Sequence, residues 1–198
     1  MTYLITDETP GLTLEGLGQL LTDEELFQLC QQNRDLRLER DERGRISILP
    51  PVGFETSVSN NELARQFGNW NVEHRLGKVT ESNGGYYLPD TSMKAPDAAW
   101  ISNERYAQIP TDERKTFPYV CPDFVVELMS ESDVLAPSQR RMEKWLENGC
   151  RLAWLIDPKH QRVYVYRPDQ PVDILDGFDR TVSGEGVLPG FELVLKWL

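Results

Sequence analysis

No stretch of the 198-residue chain approaches the ~20 consecutive apolar residues that a membrane-spanning helix needs, so no bilayer segment is expected. Cysteine is scarce: Cys30, Cys121 and Cys150 are odd in number and lack metal-site spacing. That argues against a disulfide framework and a zinc knuckle, and reads as reduced thiols in a cytoplasmic protein. Histidine is scarcer, with only His74 and His160, and neither has a ligand-like neighbour in sequence; both read as surface residues. Positive charge is outnumbered, 21 Lys and Arg against 32 Asp and Glu, a net charge of −11. A protein that coats nucleic acid through a basic surface is thereby disfavoured, whereas a nuclease is not, because an acidic metal site adds negative charge by design. Met1 to Gly11 carries Asp7 and Glu8 and no basic region, which is unlike a secretory signal.

What is present is the composition of a globular domain, 39% hydrophobic and 27% charged, in a chain long enough for a sizeable core. One stretch organises the rest. Phe124 to Met129 is apolar, follows Pro122, and reads as a short strand buried on both faces. Glu127 lies within it and shares a face with Val125 and Met129. A bare carboxylate there is too costly to leave unanswered by a proton, a base, a hydrogen-bond network or a metal ion. Pro96-Asp97-Ala98-Ala99-Trp100-Ile101 is a second strand-like run, and it opens with an acid. If the two strands are neighbours, Asp97 and Glu127 converge and repel unless a cation sits between them. Magnesium suits such a site, since it takes few protein carboxylates and favours phosphate substrates.

Around these strands the pattern is mixed. Thr22-Asp23-Glu24-Glu25 is a capping-box signature and predicts a helix from Asp23 to Asn33, after a loop or short helix over Leu12–Leu21. Leu36–Arg40 and Arg45–Leu49 alternate as half-exposed strands of a hairpin. Val52–Val58 reads as a loop holding Glu55, then a helix over Asn60–Leu76 capped by Ser59 or Asn60. Lys78–Glu81 and Tyr86–Leu88 read as a strand and its return across Ser82–Gly85, and Glu104–Pro118 as a surface excursion with a short helix. A helix opened by Ala136-Pro137-Ser138 ends at Asn148-Gly149. Arg151–Ile156 and Arg162–Arg167 make another hairpin, with shorter strands over Val172–Leu175 and Gly186–Leu195. Trp100, Trp145, Trp154, Tyr164 and Tyr166 follow strand or helix period and read as core or interface, not as a base-stacking platform. The sum is a mixed-sheet α/β fold.

Ala95-Pro96-Asp97-Ala98-Ala99-Trp100, Cys121 to Ser130, Glu147-Asn148-Gly149 to Asp157-Pro158, and Val163 to Pro168 resemble, in that order, the Uma-type family of bacterial restriction-endonuclease-like proteins. That family lies within the superfamily marked by a PD…(D/E)XK motif. The resemblance runs from about Glu39 to Leu195. It implies a restriction-endonuclease-like mixed β-sheet flanked by helices over 35–198, with residues 1–34 as an N-terminal helical arm. It also implies a divalent-metal phosphodiesterase site using Mg2+ or Mn2+, DNA as substrate, and a homodimer. Asp97 and Glu127 would share the ion, with the Leu128 carbonyl as a further ligand. The motif's lysine would stand at Met129, so the plain motif is broken. A lysine on the following helix takes over in the family, and its place here is Arg141, with Lys144 one turn on. Glu55 would supply an extra acid near the first long helix, with Glu62 the alternative. An arginine stabilises an anionic phosphorane but is a poor proton carrier.

Bland roles stand beside these. Glu127 can pair with Arg141 merely to fasten helix to strand, and Asp97 can bond nearby backbone N–H groups. Lys144 can be solvated and Glu55 an ordinary loop acid. Three functions follow: a magnesium-dependent DNA endonuclease, a nuclease-fold binding protein that has lost catalysis through the Met129 and Arg141 replacements, and a two-carboxylate hydrolase of glycosidase type.

Overall fold

The computed structural model describes residues 3–4 and 12–198; most of Met1–Gly11, read above for its lack of a signal, lies outside them. In chain order the elements are β1 (Tyr3–Leu4), β2 (Leu12–Leu14), α1 (Leu17–Leu20), α2 (Asp23–Gln32), β3 (Arg37–Arg40), β4 (Ile46–Leu49) and α3 (Phe54–His74). Then come β5 (Gly77–Glu81), β6 (Tyr86–Tyr87), β7 (Met93–Lys94), β8 (Ala98–Ser102), α4 (Asn103–Gln108) and β9 (Phe124–Leu128). The chain closes with α5 (Leu135–Glu147), β10 (Leu152–Asp157), β11 (Arg162–Tyr166), β12 (Asp173–Asp176), β13 (Thr181–Ser183) and β14 (Glu192–Val194). They form two compact units, each discontinuous in sequence.

The first unit comprises Met1–Pro51, Asn83–Ala95 and Ile109–Val120. Its sheet has the order β1-β2-β4-β3-β7-β6. Thr22 caps α2 as expected: its hydroxyl accepts from the Glu25 N–H at 3.2 Å, and Glu25 Oε2 accepts from the Thr22 N–H at 2.8 Å. Thr22→Ala should cost about 1 kcal/mol of stability, read from the shift of a urea unfolding midpoint at constant slope. Leu26, the one fully buried residue of that helix, packs with Leu38, Ile46 and Met93. The β3–β4 hairpin is present, with Arg37 opposite Leu49, but Glu39 and Arg40 in it are not half exposed. Glu39 and Arg40 are buried because each finds a partner. Glu39 accepts from the Ala95 N–H at 3.1 Å and faces Lys94 Nζ at 3.8 Å. Arg40 pairs with Asp23 at 2.5 Å and donates to the Thr91 carbonyl. Leu12–Leu21 contains a strand as well as a short helix, since Leu12–Leu14 extends the sheet beside β4.

The second unit comprises Val52–Ser82, Pro96–Gln108 and Cys121–Leu198. It is a mixed sheet of order β12-β11-β10-β9-β8-β5 with helices on both faces. β9 and β10 are parallel and joined through α5; the other neighbours are antiparallel. All five residues of β9 are buried, as its apolar run requires. Phe67 and Trp70 of α3 pack with Phe124, Val126 and Trp154 on one face. Trp145 of α5 reaches the other face, where Glu127 lies.

Three expectations are corrected here. The first long helix begins at Phe54, with Gly53 as its cap, so Glu55 sits in its first turn and not in a loop. Ser59 lies inside that helix and its hydroxyl donates to the Leu198 carbonyl, which is how a Ser/Asn-rich start is tolerated. β5 does not pair back with Tyr86–Leu88: it joins β8, while β6 joins β7. Of Gly186–Leu195, only Glu192–Val194 is a strand, paired with β13.

At the edge, β12 carries Asp173 and Asp176, which pair with Arg167 and Arg162 at 2.7 Å each. At the starts of β9 and β10, Asp123 is fully buried. It accepts from the Ser102 N–H at 2.9 Å and Arg105 Nη1 at 3.0 Å, with Arg151 Nη1 at 3.5 Å. Burial would raise its pKa, but the Ser102 N–H and the Arg105 guanidinium outweigh it and hold the carboxyl below its ordinary value.

Candidate metal centre and active site

Antiparallel pairing brings the two acids together. Ala98 stands opposite Val126, so Asp97, the bend residue one step outward, falls level with Glu127. Asp97 Oδ2 accepts the Leu128 N–H at 2.8 Å, the amide that follows Glu127. In an extended strand a residue's N–H and C=O point to the same side, so the Leu128 carbonyl also faces the Asp97 strand. Glu127 is 7% exposed. Its Oε1 accepts from Arg141 Nε at 2.6 Å and from Trp145 Nε1 at 3.0 Å. Arg141 and Trp145 stand four apart on α5, which puts both on the helix face above the strand.

The sequence-read residues therefore divide. Asp97, Glu127, Leu128 and Arg141 form one cluster. Lys144 lies on the same helix and pairs with Glu147 at 3.0 Å. Glu55 is exposed on α3, whose core-facing residues pack against the opposite face of the sheet, and Glu62 on that helix is held by Arg65 at 2.6 Å and by Gln66. Met129, at the lysine position, is buried. Trp145 was not singled out as a partner of Glu127, although its spacing from Arg141 carried the signal.

Both bland contacts exist: Glu127 does fasten α5 to β9, and Asp97 does bond a backbone N–H. Magnesium needs only one or two protein carboxylates and keeps several waters. Two carboxylates and a carbonyl flanking one peptide suit such an ion. Among the described residues no three of His, Cys, Asp and Glu assemble as for an all-protein cage. Burial pushes the Cys30 thiol up to about 11 and the Cys150 thiol well above its usual value, which favours their protonated form. His74 and His160 are exposed, and Trp100, Trp145, Trp154, Tyr164 and Tyr166 are buried in the core.

A mixed sheet with helices on both faces and paired acids on neighbouring strands defines a restriction-endonuclease-like α/β fold. The chain matches the crystal structure of "a putative nuclease belonging to DUF820" from Anabaena variabilis with a TM-score of 0.72, covering 89% of this chain and 96% of that one. The two are 22% identical, so the likeness is one of fold. The family comes from the sequence: the model of Uma2, described as "Putative restriction endonuclease", matches residues 23–196, and the chain belongs to that family. Family and fold together support a nuclease-like function. No protein of curated function matches the chain.

Proposed function

We propose that the chain is a Mg2+- or Mn2+-dependent endonuclease that hydrolyses DNA phosphodiester bonds at the Asp97–Glu127 site. One observation supports this reading: Asp97, the residue before β8, accepts the N–H of Leu128, the residue that follows Glu127 on β9. Asp97, Glu127 and the Leu128 carbonyl would hold the ion. When bound, the ion supplies Lewis acidity, lowering the pKa of water and offsetting phosphate charge. The chain's residues do the rest. Arg141 keeps its positive charge beside Glu127 and stabilises charge developing on the phosphate. Trp145 and Arg141 together fix the Glu127 rotamer, so the carboxylate is preorganised. Lys144 is the second base on that helix; Glu55, exposed on α3 against the opposite face of the sheet, has no part in this site. A homodimer cutting both strands of a duplex, acting in the cytoplasm where free thiols persist, completes the proposal.

The test is calorimetry with Mg2+ and Mn2+ alongside cleavage of supercoiled plasmid. Asp97→Ala should lose both ion binding and cutting. Retained metal-dependent cutting in that variant retires the assignment. The second reading, a nuclease fold that binds without cutting, is favoured by Met129 and Arg141 standing where a lysine is expected; it requires DNA binding with no ion uptake by the parent chain.

A further inference from the structure

At the same end of the same sheet, one titratable pair is unused by the site above. β10 runs parallel to β9, with Leu155 level with Glu127 and Ile156 level with Leu128. One step on, Asp157 falls level with Met129, and strand alternation sends its side chain to the Glu127 face. Strands ~4.8 Å apart rising ~3.3 Å per residue put the Asp157 Cα about 8 Å from that of Glu127.

Asp157 is only 2% exposed. His160 answers its charge: the His160 N–H donates to Oδ1 at 3.1 Å, and the ring's Nδ1 lies 2.8 Å from Oδ2. The His160 side chain itself is 59% exposed. Lys159, in the same turn, pairs with Glu131 of the loop leaving β9 at 3.6 Å, which ties this turn to the segment that follows Glu127.

A carboxylate can only accept. Nδ1 therefore carries a proton, which leaves Nε2, on the far side of the ring from Asp157, as the nitrogen able to accept one. A general base needs this arrangement, with the carboxylate stabilising the imidazolium that forms. Neither Met129 nor Arg141 can take up a proton.

We propose that His160, oriented by Asp157, is the general base of phosphodiester hydrolysis at the Asp97–Glu127 site; this rests on the nuclease reading of that site. The water oxygen bonds to phosphorus as its proton passes to Nε2. The bond from phosphorus to the leaving sugar oxygen breaks, and that oxygen takes a proton from solvent. The imidazolium then returns its proton to solvent, which closes the cycle.

The competing account is a surface turn in which Asp157 only caps backbone. The chain's two histidines separate the accounts. Imidazole NMR signals of the full chain are followed as Mn2+ is added, with ion uptake measured by calorimetry. His160 should broaden first. His74 ends α3 near Gly77, which pairs with Ser102 at the opposite end of β8, and should stay sharp. Asp97→Asn should remove the broadening. Ion uptake with a sharp His160, or broadening that persists in Asp97→Asn, overturns the His160 assignment and leaves the endonuclease reading to its own test. No ion uptake by the parent chain overturns the metal-centre reading and the role of His160 with it. In single-turnover cleavage, His160→Gln should slow the reaction on the order of 100-fold with DNA affinity held within about twofold. A rate near the parent's, or an equal loss of affinity, overturns the proposal. Asp157→Asn should slow cleavage as well, through loss of ring orientation; unfolding midpoints check both variants, and His160→Gln decides alone if Asp157→Asn does not fold.

Discussion

Glu127→Gln should abolish divalent-ion-dependent DNA cleavage while leaving the fold close to its parent's stability. The amide keeps the side chain's shape, and its oxygen still accepts from Arg141 Nε and Trp145 Nε1, the two donors that now meet Oε1. What is lost is the charge that would hold a cation. The hydrogen bonds change from charge-assisted to ordinary, at a cost of about 1–2 kcal/mol. Glu127→Ala behaves differently: it strips a partly buried guanidinium and a buried indole N–H of their acceptor and should cost about 2–4 kcal/mol. The alanine variant alone therefore confounds a dead site with a weakened fold, and the glutamine variant separates them. Plasmid cleavage, ion calorimetry and urea unfolding are measured on both. Parent-like cutting by the glutamine variant would reduce Glu127 to a fastener between α5 and β9.

A second large loss of stability is expected at Asp123→Ala, far from the chemistry. Asp123 has no exposed surface, and it gathers the end of β8 through the Ser102 N–H, α4 through Arg105, and the residue before β10 through Arg151. Removing the carboxylate leaves the Ser102 N–H without its acceptor and two part-exposed guanidinium groups unanswered, at a cost of about 2–3 kcal/mol. Because its pKa is depressed in the folded chain, its contribution is present above the unfolded carboxyl's value near 4 and is lost as pH falls through the lower folded value. Unfolding free energy measured from pH 7 down to pH 3 should therefore fall less steeply in the variant than in the parent. Parallel curves would show that Asp123 does not couple to protons.

The elements with strong local signals were legible. Thr22 and Glu25 sit three apart because each satisfies an otherwise orphaned N–H, and α2 starts there. Glu127 stood out because a carboxylate in an apolar run needs an answer. The start of α3 was hidden: Thr56, Ser57, Ser59 and Asn60 have the composition of a loop, and only packing and the Ser59 bond to the distant Leu198 carbonyl make them helical. The exchange of partners between β5 and β6 was equally hidden, since adjacency along the chain suggests a hairpin and only the assembled sheets show otherwise. Of the side chains bonded to Glu127, Arg141 was legible through the family's pattern and Trp145 was not; the bond between Asp157 and His160 was not legible either. An indole looks like core until its N–H is seen to meet a carboxylate, and an Asp-Pro turn looks like surface until the register puts it beside β9.

The rim strand β12 has a bearing on assembly. Asp173 and Asp176 fringe it, each tethered inward by an arginine, and charge of this kind on an unpaired rim discourages a foreign strand from extending the sheet. Two copies gripping a double helix would thus have to join through surfaces other than this border, and the ladder that carries the acids is shielded from growing into a fibre along that side.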